Sequence, residues 1–348
     1  MQWTDRIGRR IKLRDLHIFL AVAQSGSMAK AAEQLAVSQP VVSKTIGDLE
    51  HALGVRLLDR TFQGVEPTTY GRAFITCGTA VFDQMRRGVQ EIEFLSDPTT
   101  GELRIGCITP FMEDLIPNVL ERFSARYPRI VCHASDIASP TMNRMLRERQ
   151  LDLAVSRTFG SHLDDDFASE FVFDEKMLVV AGENNPWSRR RKINFADLLH
   201  EPWALPPVDN LIGILIQKSF DDAGVSLPKP RVVSGSMAAR TRLAESAGFL
   251  TLLPSSMLHF GAKRLRVKAL PVSLPMKPLS VDVITLRDRT PNPIAKLFTD
   301  ELRTVVAQMV KERPNLFGTS NNVRRTVSPR QRTLATAHVN GQIAVKKC

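Results

Sequence analysis

Four side chains in the stretch SQPVVSKTIGDLEHALG are chemically suited to the edge of a base pair. Gln39 carries an amide that donates and accepts at once, the pairing that matches adenine N6 and N7. Pro40 offers an apolar surface to a thymine methyl, and Ser43 a hydroxyl to a base edge or a phosphate. Lys44 adds a point charge without the planar fork of arginine, which suits phosphate or loose guanine contact better than bidentate readout. On a helix these four fall near the N-terminal end, on the side opposite Val42, Ile46, Leu49 and Leu53, whose steps of four, three and four mark a buried stripe.

Ser38 is expected to cap this helix through its hydroxyl, which puts Pro40 in the first turn, where a missing N–H has no intrahelical partner to lose. Gly54 stops it. Upstream, LRDLHIFLAVAQ places Leu13, Leu16, Leu20 and Ala23 at helical steps, with Phe19 alongside, and Gly26 ends that helix. Ser27 can cap a second, alanine-rich helix, SMAKAAEQLA. Downstream, VRLLDR and VEPT read as two short strands around a Gln63-Gly64 turn, a small hairpin or wing. Taken alone, Gln39, Ser43 and Lys44 would be a solvated helix face. Placed after two helices and before a wing, they read as a DNA-contacting surface.

From Tyr70 to Leu95 apolar or small residues recur at 74, 78, 81, 85, 88, 92 and 95, close to the 3.5-residue period of paired helices. Glycines at 78 and 88 require either weak pairing or close approach. Asp97-Pro98-Thr99-Thr100-Gly101 then reads as a hinge. Beyond it, the strand-like segments ELRIGCI, RIVCHAS and LDLAVSR alternate with helical ones, predicting a parallel sheet covered by helices. The strand KMLVVAG follows. A second group, with a helix near Leu211–Ala223, the strand RVVSG, the helix SMAARTRLAESA and the strand FLTLLP, predicts a second α/β lobe. The chain returns through LSVDVITL and a helix PIAKLFTDELRTVVAQMV. Two lobes joined by two crossovers would leave a cleft at the carboxyl ends of their strands.

The net charge of +11 does not by itself argue for nucleic acid. Residues 314–348 hold six Lys or Arg and no acid, whereas residues 1–72 hold ten basic and seven acidic residues. The pattern has to carry the reading. No apolar run approaches the ~20 residues of a membrane span, and the N-terminus lacks a secretion signal, so a cytoplasmic location is expected. Cys77, Cys107, Cys132 and Cys348 have no metal-ligand spacing, and no nucleophile, phosphate-loop or zinc-helix motif occurs, so neither metal, cofactor nor enzymatic activity is expected. Cys107 and Cys132 fall in strands and read as small buried residues, with a redox-sensor role as the rival.

The segment SMAKAAEQLAVSQPVVSKTIGDLEHALGVRLLDR, continuing through GVEPTTYGRAF, resembles the LysR-type transcriptional regulators. The resemblance extends more loosely to GELRIGC, LDLAVSR and AGFLTLLPSS, and spans roughly residues 11–310. The wording around residues 1–50 is similar to members described as regulators of a galactose-binding protein, which implies a role in sugar uptake or catabolism. The family resemblance implies a winged helix-turn-helix DNA-binding domain over 11–69 and a dimerisation linker helix over 70–97. It further implies a two-lobed effector domain over 101–313, like periplasmic solute-binding proteins; the basic tail 314–348 is expected to be disordered. It also implies backbone contacts from the second helix start and the wing, carried here by Ser27, Arg60 and Gln63, beside Ser38, Gln39, Pro40, Ser43 and Lys44. Lys44 stands where the family often has arginine. Implied partners are a pseudo-palindromic double-stranded operator, a small-molecule effector and a second copy of the chain, with a tetramer built from dimers; RNA polymerase is a further candidate.

The residues that could hold an effector sit where strands end and helices begin. Thr109, Ser139 and Ser236 each offer a hydroxyl beside a helix N-terminus, Arg157 can pair with a carboxylate or phosphate, and Pro206 lies at a corresponding edge of the second lobe. The rival reading is that the hydroxyls only cap helices and that Arg157 makes a structural ion pair.

Overall fold

The computed structural model describes residues 10–61, 64–158, 164–246, 248–261 and 264–317. Three helices open the chain: α1 (Leu13–Ser25), α2 (Met28–Gln34) and α3 (Gln39–Leu53). Gly26 and Gly54 close α1 and α3 in the left-handed conformation, which glycine adopts without a Cβ penalty. The hairpin of β1 (Leu58–Thr61) and β2 (Gly64–Pro67) follows, paired antiparallel with Arg60 opposite Val65. The helices and hairpin share one core, centred on Phe19, Val42, Ile46, Leu49 and Leu57.

The buried arc of α1 differs from the spacing reading. Leu13 is exposed and Leu20 only half-buried, while Leu16, Ile18, Phe19, Ala21 and Val22 are buried. The cause is packing on several sides, against α2, α3 and the next helix, which buries a broader face than one stripe. On α3, likewise, Ala52 is buried and Leu53 only partly so.

Helix α4 (Thr69–Ser96) is capped by the Thr68 hydroxyl, which accepts from the Gly71 N–H at 3.0 Å. Its first half packs on the N-terminal core through Phe74, Ile75, Val81 and Phe82. Gly78 is a point of close approach to α1, since a Cβ there would lie 2.8 Å from Leu16 Cδ1. In its second half Met85, Val89, Ile92 and Leu95 are exposed, Leu95 at 78%. This apolar stripe has no partner among the described residues of the one chain.

The first α/β lobe is a five-stranded sheet of β3 (Thr100–Cys107), β4 (Arg129–Asp136), β5 (Leu153–Thr158), β6 (Phe167–Glu175) and β12 (Leu279–Leu286), ordered β4-β3-β5-β12-β6. The first three strands are parallel, as expected, whereas β12 runs antiparallel between β5 and β6. A five-residue π-turn at Phe111–Leu115 leads into α5 (Ile116–Arg126); α6 (Ser139–Arg147) and α10 (Pro293–Glu312) complete the lobe. The second lobe contains β7 (Met177–Gly182), β8 (Trp203–Leu205), α7 (Leu211–Asp222), β9 (Pro230–Val233), α8 (Met237–Ser246), β10 (Thr251–Pro254), α9 (Ser255–Phe260) and β11 (Val267–Ala269). There β7 pairs antiparallel with β10 and β11, β8 pairs parallel with β9, and a Trp203–Leu250 bridge joins the two sheets.

Order continues past the expected boundary at 313. Pro314–Leu316 forms a short 3-10 turn, and Phe317 is buried in the first-lobe core against Phe173, where its aromatic surface outweighs the polar tail around it. Residues 318–348 of the expected tail lie outside the described residues.

Candidate nucleic-acid interface and effector site

The start of α3 is an exposed polar ledge. Gln39, Pro40 and Lys44 are exposed and Ser43 is half-buried, while Val42 and Ile46 point into the core. Among the described residues Gln39, Ser43 and Lys44 have no side-chain hydrogen bond or ion pair, so their donors and acceptors are unspent. Ser38 occupies the N-cap position, but its hydroxyl makes no cap bond, a correction to the expectation. The reason is local: Pro40 removes the second amide of the helix, and the third, Val41 N–H, donates to the Ser38 carbonyl at 3.0 Å. Pro40 thus leaves the Ser38 hydroxyl available for an outside partner.

Ser27 does cap α2, its hydroxyl accepting from the Lys30 N–H at 3.4 Å. Arg60 is exposed on β1 and, among the described residues, pairs with neither Asp59 nor Glu66. Gln63 lies outside the described residues.

The effector candidates of the first lobe lie at the carboxyl ends of parallel strands or the start of the helices that follow. Thr109, beyond β3, donates to Asp136 Oδ1 at the end of β4 at 3.0 Å. Ser139 is the first residue of α6 rather than its cap, which is Ala138, and its hydroxyl lies 3.5 Å from that of Ser156. Next to Ser156, Arg157 is buried, with its guanidinium 5.1 Å from the Phe111 ring centroid. Its Nε donates to Glu175 Oε2 at 2.6 Å, which meets the structural-pair reading, yet its Nη2 is buried without a hydrogen-bond partner. Glu175 is fully buried and also accepts from the Ser256 hydroxyl, so one carboxylate ties β5, the end of β6 and α9 together.

In the second lobe Pro206 is buried after β8 and lines a cavity of about 490 Å³ with Leu205, Val208, Gly213, Ile216 and Val233. Ser236 is exposed, its hydroxyl accepting from the Ala239 N–H at 3.2 Å as a helix cap. The structure therefore sets Ser139 beside Ser156, turns Arg157 to the opposite face of β5 toward Phe111 and Glu175, and leaves Thr109 on Asp136.

Three features escape the spacing reading. Glu175 belongs to a strand, β6, whose mixed composition gives no signal. Arg240 on α8 is buried among Thr241 and Ala244; a charged residue on the buried face of SMAARTRLAESA is the available clue. The third is an ion cluster at the junction of α4 with the first lobe, where Asp83 and Arg87 meet Arg149, Asp152 and Arg289. Cys107 and Cys132 do not form a sensor pair. Cys132 is level with Leu103 and Cys107 with Asp136 across β3 and β4. Burial pushes the Cys107 thiol up to about 12 and that of Cys132 to about 11, away from thiolate chemistry. Among the described residues no cluster of side chains could hold a metal ion, and no helix is long and apolar enough to cross a membrane.

A three-helix domain with a wing, a long helix with an exposed apolar stripe and a two-lobed α/β domain define a DNA-binding regulator with an appended ligand-binding module. Residues 13–72 match the bacterial regulatory helix-turn-helix family of lysR type, and residues 96–307 match the LysR substrate binding domain. The chain belongs to the LysR family of transcriptional regulators, and its relatives are regulators rather than enzymes. It is 24% identical to an uncharacterized HTH-type transcriptional regulator, YdcI, of Escherichia coli over 272 residues, covering 78% of this chain and 88% of that one. It is 28% identical to the HTH-type transcriptional regulator GbpR of Azospirillum brasilense over 229 residues, covering 65% and 67%. Among solved structures, a full-length OxyR variant from Pseudomonas aeruginosa shares the fold, with a TM-score of 0.62 at 21% identity, covering 84% of this chain and 95% of that one.

Proposed function

We propose that this regulator binds a pseudo-palindromic operator through Gln39, Pro40, Ser43 and Lys44, with Ser27, Ser38, Arg60 and Gln63 on the backbone, and that an effector at the strand ends alters that complex. The observation that carries the reading is the ledge at the start of α3, whose polar groups have no partner among the described residues while the opposite face is fully used by the core. Phosphate contacts fix the register of such a domain and base contacts its sequence.

Two copies pair along α4, where Met85, Val89, Ile92 and Leu95 expose apolar surface that water disfavours. Dimers assemble into a tetramer, act in the cytoplasm and present the bound promoter to RNA polymerase. The effector contacts Thr109, Ser139, Arg157, Pro206 and Ser236, and its differential binding to two lobe arrangements shifts the population between them. Genes of sugar uptake or catabolism are the proposed target, on the resemblance of residues 1–50 to regulators of a galactose-binding protein.

Footprinting on DNA flanking the protein's own gene tests this reading. Two protected half-sites separated by a whole number of helical turns are expected, as two-fold protein symmetry requires. A single protected segment without symmetry would count against the paired assembly, and no protection against the DNA reading as a whole.

A further inference from the structure

Arg240 is buried, 3% exposed, with no acidic partner among the described residues. Its Nη1 reaches only neutral acceptors at long distance, the Leu252 carbonyl at 3.3 Å and the Thr251 hydroxyl at 3.4 Å, and its Nε is buried with no hydrogen-bond partner. Burial without a counter-charge pulls its pKa down to about 10, so it still carries its charge at neutral pH. A buried, uncompensated charge is costly to keep, and a neutral side chain of similar length would serve the packing better.

Its surroundings tie it to a strand end of the second lobe. Arg240 lies one turn into α8, and long side chains on a helix lean toward its N-terminus. The Thr251 hydroxyl it touches donates to the Ala204 carbonyl at 2.7 Å, two residues before Pro206. Ser234 N–H donates to the Leu205 carbonyl and Ser234 Oγ accepts from the Ser236 N–H, so the start of α8 is tied to the same strand end. Ser236 satisfies the N–H groups of Ala239 and Arg240. The amides of Met237 and Ala238 at the head of α8 remain for an outside acceptor, where the helix dipole also favours negative charge.

We infer that Arg240 and the head of α8 form an oxyanion site, which takes a carboxylate or phosphate group of the effector beside Pro206 and Ser236. This rests on the reading of the chain as an effector-responsive regulator and names the chemistry of that effector in the second lobe. Arg240 supplies the charge, the two amides supply direction, and the lack of a carboxylate partner among the described residues leaves the guanidinium for the ligand.

Thermal unfolding of the full chain in inorganic phosphate, in malonate and in sodium chloride of equal ionic strength tests the site. Phosphate and malonate distinguish the two sources of the oxyanion. At least one should raise the Tm of the wild type beyond the chloride control, in proportion to saturation. Arg240→Gln should abolish that excess shift without lowering the Tm measured in chloride, because a buried charge has been removed. Should Arg240→Gln fold poorly, Arg240→Lys keeps the charge and should retain part of the shift. Arg242→Met, on the exposed side of the same helix, should retain all of it. Equal shifts in Arg240→Gln and wild type would overturn the proposal, as would no excess shift in either anion. Gel retardation of the flanking DNA by wild-type protein without added anion separates the two readings, since its failure speaks against DNA binding and not against the anion site.

Discussion

Asp83 on the linker helix and Arg289 in the loop after β12 hold each other through two parallel hydrogen bonds, Nε to Oδ2 and Nη2 to Oδ1, both 2.8 Å, across 206 positions of sequence. Both side chains are buried. Arg149 adds a third bond to Asp83 at 2.9 Å, and Asp152 gathers Arg87, the Arg104 N–H at 2.9 Å and Asn292 at 3.1 Å. The helix that follows the DNA-binding domain is thereby bonded to the effector domain by directional, charge-assisted contacts rather than by apolar packing alone.

Removing one partner of such a cluster leaves charge buried without compensation. Asp83→Asn is expected to destabilise the protein by about 3 kcal/mol in urea unfolding. Burial would raise the Asp83 pKa, but hydrogen bonds from Arg289, Arg86 and Arg149 outweigh it and hold the carboxyl well below the usual carboxylate range. Its contribution is therefore full above an unfolded-state pKa of about 3.9 and is lost as pH falls further. The variant should accordingly lose less stability than the wild type between about pH 4 and pH 2; equal losses would contradict the assignment.

The two seam glycines of α4 should behave oppositely. Gly78→Val drives a side chain into Leu16 Cδ1 and Cγ, and overpacking of this kind costs about 1–3 kcal/mol. Gly88 has nothing within 4 Å of a built Cβ, and Gly88→Ala should stabilise the helix by about 0.5–1 kcal/mol. Melting temperatures of the two variants check both signs.

Asp114 predicts the reverse pH dependence to Asp83. Burial raises its pKa to about 6, against the pull of Arg264, whose Nη2 donates to Oδ1 at 2.7 Å. The folded state then holds this proton longer than the unfolded chain, so the contribution of Asp114 to stability falls as pH rises from about 4 to 6. Asp114→Asn should flatten the stability profile in that window. A profile that falls as steeply as the wild type's would assign the titration elsewhere.

Local chemistry makes much of the fold legible. Gly26, Gly54 and Ser27 mark helix ends because caps act over three or four residues, and the period along Phe74–Leu95 marks a stripe whose first half packs on the N-terminal core and whose second half is exposed. Contacts that depend on distant partners are not legible. β6 gives no pattern because Phe167–Glu175 mixes acidic and aromatic residues, and Leu13 follows the helical spacing but faces solvent. Ser38 has the chemistry of a cap, but Pro40 removes one of the amides it would serve. Arg157 is legible as a binder of carboxylate, but nothing in LDLAVSR announces that Glu175 takes that place.

The central claim is that the ledge of α3 reads base edges. Fluorescence anisotropy at one fixed salt concentration, comparing DNA flanking the protein's own gene with an unrelated duplex of equal length, measures the preference directly. Gln39→Ala and Ser43→Ala should each weaken binding to the flanking DNA by about 1–3 kcal/mol while leaving affinity for the unrelated duplex unchanged. Preference for the flanking DNA that survives both substitutions intact would contradict direct readout by this helix.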